Sequence, residues 1–236
     1  SSMGDLLRLL AKHRISLKAE LDQEHIVDPN LISEMVALAE VGGGDVVLEV
    51  GSGVGNITES VAKVAKHVYA VERYREFEPV LRAKFLRRRN VELIFDNVLD
   101  MRLPPFDKVV SNPPFSICEG LLWKLAPSGF KLGALMVPMS FMQTVTARPG
   151  HQKASKLSIF TSAFFDMEVE KVVEPDAFYP APGFRCALLK LMPFDTRDMM
   201  TLITRQILIQ RDKKAKNALR TALIAAHKSR DRPISK

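Results

Sequence analysis

Val46-Val47-Leu48-Glu49-Val50-Gly51-Ser52-Gly53-Val54-Gly55-Asn56-Ile57-Thr58 decides how the rest of the chain is read. A β-branched apolar run leads into three glycines at alternate positions and then into a stretch able to start a helix. Missing side chains at such a turn let a ligand lie against the backbone. The spacing is GxGxG behind an acidic residue, not the GxGxxG of dinucleotide enzymes, which points to S-adenosylmethionine rather than NAD. Glu72 closes the next apolar run, 21 residues after Gly51. A carboxylate there can accept both hydroxyls of a ribose. Asp96-Asn97 follows the third run and can accept a bond from the cofactor's adenine amine.

Outward from this core the pattern alternates. Strand-like runs are expected at Val46–Val50, Val68–Val71, Val91–Phe95, Lys108–Val110 and Leu132–Val137, with helices at Ile57–Lys66, Phe77–Arg89, Cys118–Leu125 and about Phe141–Thr146. Such alternation predicts a parallel sheet wrapped by helices. Residues 5–40 read as helical with a break near Asp28-Pro29-Asn30, where Pro29 suits a first helical turn. Phe165–Val173 and Arg185–Leu191 bracket a proline-rich loop and are expected to form a hairpin closing the sheet edge. Pro193-Phe194-Asp195 is the expected boundary of a small helical tail.

The fourth strand runs into Val109-Val110-Ser111-Asn112-Pro113-Pro114-Phe115. Open sheets bind ligands beyond the carboxyl ends of their strands, so this loop is expected to face the cofactor. The lone pair of an adenine N6 is delocalised into the ring, which makes it a poor nucleophile. Acceptors that draw the amine hydrogens out of the ring plane are needed, and the Asn112 side-chain oxygen and the Pro113 carbonyl can supply them. The two prolines fix the loop and aim the acceptors before substrate arrives. Phe115 offers a face for stacking a base.

Composition narrows the setting. The chain has 236 residues, is 47% hydrophobic and carries a net charge of +7. From Arg197 onward there are 11 Lys/Arg against 3 Asp/Glu, whereas residues 1–196 hold 23 positive and 24 negative charges. A near-neutral body with a basic end suggests a polyanionic partner. No apolar run approaches the roughly 18 residues of a membrane span, and Ser1-Ser2-Met3-Gly4 lacks a signal-peptide layout. Cys118 and Cys186 read as reduced, buried thiols of an intracellular, cytoplasmic protein. The five histidines are scattered, so no metal is expected. Monomer is the default expectation.

On these residues the chain resembles the rRNA adenine dimethyltransferases, a family that includes the small-subunit dimethyladenosine transferases and the erythromycin-resistance methylases. Gln23-Glu24-His25-Ile26-Val27-Asp28 is similar to the family's N-terminal cofactor motif, Gln-x-Phe-Leu-x-Asp. Ala147-Arg148-Pro149-Gly150 and Lys156-Leu157-Ser158 resemble its stretch between the fifth and sixth strands. Phe178-Tyr179-Pro180-Ala181-Pro182-Gly183-Phe184 resembles its Phe-x-Pro-x-Pro-x-Val loop, and the segment from Arg205 to Leu219 resembles its basic helix.

The resemblance implies an α/β, Rossmann-like, seven-stranded S-adenosylmethionine-dependent methyltransferase domain over residues 1–194. A small basic helical RNA-binding domain is implied over 195–236. It implies a cofactor site made by Gln23, His25, Ile26, Glu49, Gly51, Gly53, Gly55, Glu72, Arg73, Asp96, Asn97 and Asn112. A catalytic set of Asn112, Pro113, Phe115 and Phe178 follows, with Phe178 sandwiching the target base opposite Phe115. RNA contacts are implied for Arg148, Arg205, Arg211, Lys213, Lys214, Lys216 and Arg220. The expected substrate is small-subunit rRNA within a precursor particle, dimethylated at adenine N6.

The chain departs from the family pattern at four places. Asn112-Pro113-Pro114-Phe115 replaces Asn-Leu-Pro-Tyr, Asp22 replaces a glycine, residues 138–144 replace a charged stretch, and the tail is short. Three further readings therefore stay open: a protein glutamine methyltransferase, a DNA adenine methyltransferase, and an assembly factor that keeps the fold without turnover. The basic tail and the aromatic loop argue against the first, and no added target-recognition domain supports the second.

Overall fold

Neighbouring residues of the central strands face opposite sides of one sheet, so each strand feeds two apolar layers. The computed structural model describes residues 2–147 and 155–195, together with Asn217, Arg220, Thr221 and Ile224. The first described helix, α1 (Met3–His13), is capped by Ser2, whose side chain exchanges bonds with Asp5 as a capping box. It ends at Arg14 in the left-handed conformation, φ 55°. An irregular segment follows, with one 3-10 turn at Ala19–Leu21, and leads to the two-residue strand β1 (His25–Ile26). Helix α2 (Pro29–Leu38) starts from the Asp28 cap with Pro29 in its first turn. The expected break near Asp28-Pro29-Asn30 is the start of α2, and the helical reading fails over 14–28, where the left-handed residues Arg14 and Asp22 turn the chain back on itself.

The alternating core then runs β2 (Val46–Val50), α3 (Asn56–Ala62), β3 (His67–Val71) and α4 (Glu78–Phe85). It continues with β4 (Val91–Ile94), β5 (Lys108–Ser111), α5 (Cys118–Leu125) and β6 (Leu132–Pro138). These strands match the sequence reading to within a residue or so. Helices α3 and α4 are shorter than expected, because Lys63 onward and Leu86 onward leave the helix as turns. After α6 (Met139–Val145) comes α7 (Lys156–Phe164), a helix absent from the sequence reading. Strand β7 (Phe165–Val173), the short β8 (Phe178–Tyr179) and β9 (Cys186–Pro193) complete the described elements.

The main sheet has seven strands in the order β4-β3-β2-β5-β6-β9-β7. Pairings from β4 to β6 are parallel, and β9 is antiparallel to both β6 and β7. The expected hairpin exists, with β9 inserted inside and β7 forming the edge. Leu48, Val50 and Val109 face a layer built on α5 and α7, where the Trp123 and Phe160 rings stack at 3.5 Å between centroids. Val47, Val68 and Val110 face α2 and α3. Strand order reverses between β2 and β5, and a parallel sheet opens a crevice at that point. The second sheet pairs β1 with β8, placing Ile26 opposite Phe178 and His25 opposite Tyr179. That pairing carries the N-terminal segment across the mouth of the crevice.

Candidate active site

The glycine loop after β2 is clamped from two sides. Gly51, Gly53 and Gly55 all have positive φ, at 78°, 53° and 84°. A Cβ on Gly51 would lie 2.9 Å from Pro114 Cδ, and one on Gly53 would lie 2.1 Å from His25 Nε2. Glycine is needed here by conformation and by space together. His25 accepts from the Val54 N–H at 3.1 Å through Nε2, and its Nδ1 meets the Gln23 carbonyl at 2.8 Å. The two contacts fix the Nδ1–H tautomer. Only 9% of His25 is exposed, and burial pushes its pKa down to about 4. The imidazole is thus a neutral splint between the N-terminal segment and the glycine loop.

Three carboxylates stand at the strand ends, as expected. Glu49 is buried and accepts from the Thr58 hydroxyl at 2.5 Å; burial raises its pKa to about 8. Glu72 accepts from the Gly53 and Tyr74 N–H groups, both at 2.7 Å, and burial raises its pKa as well. Asp96 is exposed, and one of its oxygens accepts from the Asn97 N–H at 2.7 Å. The Asn97 side chain is tied into its own turn, donating to Asp100 at 2.8 Å and accepting from Leu99 N–H at 3.1 Å. What Asn97 offers the crevice is therefore its place in the turn and not a free amide. Gln23 is similarly committed, donating to Glu76 at 2.6 Å and accepting from Lys18 N–H at 3.0 Å.

The crevice consists of two adjoining pockets at the carboxyl ends of the central strands. They share Asp22, Gly51, Glu72, Tyr74 and Pro114. The first is lined by Gln23, His25, Ile26, Glu49 and Asn112, the second by Arg73, Asp96, Asn97, Val98 and Ile117. The donor set fits the expected cofactor. The glycine cradle admits backbone contact, the Ser52 hydroxyl is buried without a partner, and acidic groups line the end where a cationic amino acid would lie. Tyr74, Phe77, Val98 and Ile117 escaped the sequence reading, because nothing local marks an apolar or aromatic loop residue as a pocket wall.

Glu49 gives a pH test. A carboxyl whose folded pKa lies above its unfolded value stabilises the fold fully below about pH 4.5. That contribution is lost as pH rises to about 8. Glu49→Gln is expected to stabilise the ligand-free protein at pH 8, by an amount on the order of a few kcal/mol, and to change its stability little at pH 4.5. Equal shifts at both pH values in thermal melts would show that the Glu49 carboxyl keeps its ordinary acidity in the free protein.

Asn112 follows β5 with its amide held in one sense. Its Nδ2 donates to the Glu24 carbonyl at 2.8 Å, and its Oδ1 is buried without a hydrogen-bond partner. A buried acceptor left open is costly unless something fills it. Pro113 is buried behind it, and Pro114 packs on the glycine loop. Ser116 next door donates from its hydroxyl to the Asp22 carboxylate, and its N–H does so at 3.4 Å. Asp22, the residue that departs from the family's glycine, thus ties the N-terminal segment down over the crevice.

Phe115 lies beside two other rings. Phe178 is 6.4 Å away at 77° between planes, and Phe184 is 5.7 Å away at 62°. Phe178 is only 1% exposed and meets Phe115 edge-on. In this conformation it is a buried support against Phe115, not the facing half of a parallel sandwich. Of the expected RNA contacts, Arg220 is exposed on a helix. Arg148, Arg205, Arg211, Lys213, Lys214 and Lys216 lie outside the described residues, as does the boundary of the tail domain beyond Asp195. Among the described residues no group of three or more His, Cys, Asp or Glu is arranged to hold a metal ion, and no helix is long and apolar enough to cross a membrane. Cys118 and Cys186 are buried free thiols with pKa pushed up to about 12.

Comparison with known proteins agrees with this geometry. Residues 14–232 match the family model described as ribosomal RNA adenine dimethylase. The probable ribosomal RNA small subunit methyltransferase A of Methanosarcina barkeri is 38% identical over 218 residues, 89% of this chain and 75% of that protein. The protein of the same name from Pyrococcus abyssi is 33% identical, over 91% of this chain and 80% of its own length. Among solved structures, a dimethyladenosine transferase from Plasmodium falciparum superposes with a TM-score of 0.69 at 24% identity, covering 76% of this chain and 66% of that one. The 23S rRNA methyltransferase ErmE superposes with a TM-score of 0.66 at 20% identity, covering 82% of each chain. These two likenesses concern the fold.

Proposed function

Given that the chain belongs to the ribosomal RNA adenine dimethylase family, whose members are S-adenosylmethionine-dependent rRNA adenine methyltransferases, we propose that it dimethylates adenosines of small-subunit rRNA within a precursor particle. The relatives named for the small-subunit reaction support the choice of RNA. The open acceptor at Asn112 supports the chemistry, and it is the observation that carries the reading. The protein works as a cytoplasmic monomer in this proposal, with residues 195–236 as a basic RNA-binding tail.

When bound, the cofactor supplies a methyl group on a sulfonium, an electrophile whose leaving group is a neutral thioether. Glu49 and the glycine loop would hold its methionine end, Glu72 its ribose and Asp96 its adenine, with Val98 and Ile117 supplying apolar lining in the same pocket as Asp96. The substrate amine donates one hydrogen to Asn112 Oδ1 and the other to the Pro113 carbonyl. That draws the N6 lone pair out of conjugation and along the line of transfer. The Glu24 carbonyl prevents the Asn112 amide from flipping to present its donor side. No prior deprotonation is needed, because the N6 proton becomes acidic as the nitrogen gains its carbon and leaves to the acceptors and solvent.

The test incubates the protein with labelled S-adenosylmethionine and unmethylated small ribosomal subunits, naked rRNA or large subunits, then identifies the nucleosides by mass spectrometry. N6,N6-dimethyladenosine from the small subunit is expected. Label confined to protein, or to large-subunit RNA, would overturn the substrate assignment. Deleting the segment after Phe194 is expected to weaken RNA binding and to flatten its salt dependence, by roughly one unit of slope for each phosphate no longer neutralised. An unchanged slope in filter-binding titrations would mean the tail is a solvated surface.

A further inference from the structure

Asn112 and Phe115 hold one side of a seated base, and the geometry says which residue meets it from the other. Phe178 is locked: it is buried, and its strand pairs through Ile26 with the segment that carries His25. Its ring is packed in the apolar cluster with Ile26, Leu31 and Ile32 and already meets Phe115 edge-on, so it has no open space into which to turn. Phe184 is in the opposite situation. It lies between β8 and β9 and is 45% exposed, and a Cβ on the preceding Gly183 would meet nothing within 4 Å. Its ring leans on Phe115 at 5.7 Å from the solvent side. In the free protein it therefore covers part of the apolar ring on which a base would stack.

We propose that Phe184 is a positioning residue that swings off Phe115 to admit the target adenine and then closes on it from outside. This inference rests on the RNA substrate proposed above. The exchange is favourable in kind, because one edge-to-face contact between two phenylalanines is replaced by two stacking contacts with a base. It is inexpensive in motion, because only an exposed side chain on an open loop has to move. The role also suits a base drawn from its RNA stack, which loses neighbours on both faces and needs both replaced. Phe184 touches the base and not the transferred methyl, so it acts on seating and leaves cofactor binding alone.

The test compares Phe184→Ala and Phe184→Tyr with the wild-type chain on the RNA that the labelling experiment identifies. Stacking on one ring face corresponds to about a tenfold effect. Phe184→Ala is expected to lower kcat/KM for RNA about tenfold, with cofactor affinity and melting temperature unchanged, and Phe184→Tyr is expected to restore it. With 2-aminopurine at the target position, the fluorescence quenching that accompanies binding is expected to shrink in Phe184→Ala. Wild-type kcat/KM and quenching in Phe184→Ala would overturn the inference while leaving the RNA assignment intact. Equal losses in the alanine and tyrosine variants, or a lowered melting temperature, would also overturn it, showing that the ring supports the loop. A wild-type chain that methylates no RNA would instead overturn the substrate assignment, and this inference with it.

Discussion

Replacing Asn112 by alanine is expected to lower methyl transfer at least about a hundredfold, on the scale of losing one preorganised polar contact in a transition state. Two functions sit on one side chain. Oδ1 is the buried acceptor awaiting a donor, and Nδ2 holds the Glu24 carbonyl at 2.8 Å. Alanine removes both, so the loss has to be divided. Asn112→Asp keeps an oxygen toward the substrate but sets a second oxygen against the Glu24 carbonyl, where no donor remains. It is therefore expected to lose most of the activity as well. Single-turnover measurements with cofactor already bound separate the effects, since a loosened segment alone would alter cofactor affinity and leave the chemical step near normal. Near-normal single-turnover rates in Asn112→Ala would falsify the catalytic assignment.

Gly53→Ala is expected to weaken cofactor binding by at least roughly tenfold and to lower the melting temperature by several degrees. Alanine at φ 53° is strained, at a cost of about 1–3 kcal/mol. Its methyl would also sit 2.1 Å from the His25 Nε2. The ring must give way, and with it goes the bond that His25 accepts from Val54. Neighbours that clash do not behave additively. In Gly53→Ala combined with His25→Ala, the space conflict disappears and only the backbone strain and the missing Val54 bond remain. The double variant is thus expected to be damaged less than the sum of the singles, as read by cofactor titration and thermal melts. Strict additivity would mean that His25 and the glycine loop are not in mechanical contact.

The features legible in sequence were those whose physics is local. Four of the five central strands were marked by β-branched runs leading into glycine, acid or asparagine, and β6 by its apolar run alone; the crevice follows from their order. Helix α7 was not legible, because it is buried nearly all round: seven of its nine residues are inside, so no polar face gives a 3.6-residue rhythm. Residues 14–28 read as helical because their composition suits a helix. What breaks them is a pair of left-handed turns at Arg14 and Asp22 and the pairing of β1 with a strand about 150 residues away. The identity of Asn112 was legible, but its orientation was not, because that depends on a carbonyl 88 residues earlier. Phe178 was legible as an aromatic of the proline-rich loop, whereas its burial, and the exposed position of Phe184, belong to the tertiary arrangement alone.

The segment that roofs the crevice is held by Gln23 on Glu76, by Asp22 on Ser116 and by the Glu24 carbonyl on Asn112. In the proposed mechanism the last of these also aims the amide that would receive the substrate amine. In the proposed reaction spent cofactor would leave and fresh cofactor would enter beneath this roof, and lifting it would release Asn112 from its setting. On that proposal the protein would not reload while keeping its grip on a half-modified base. Two methyl groups on one nitrogen would then take two separate episodes of capture, with monomethylated RNA expected free in solution between them.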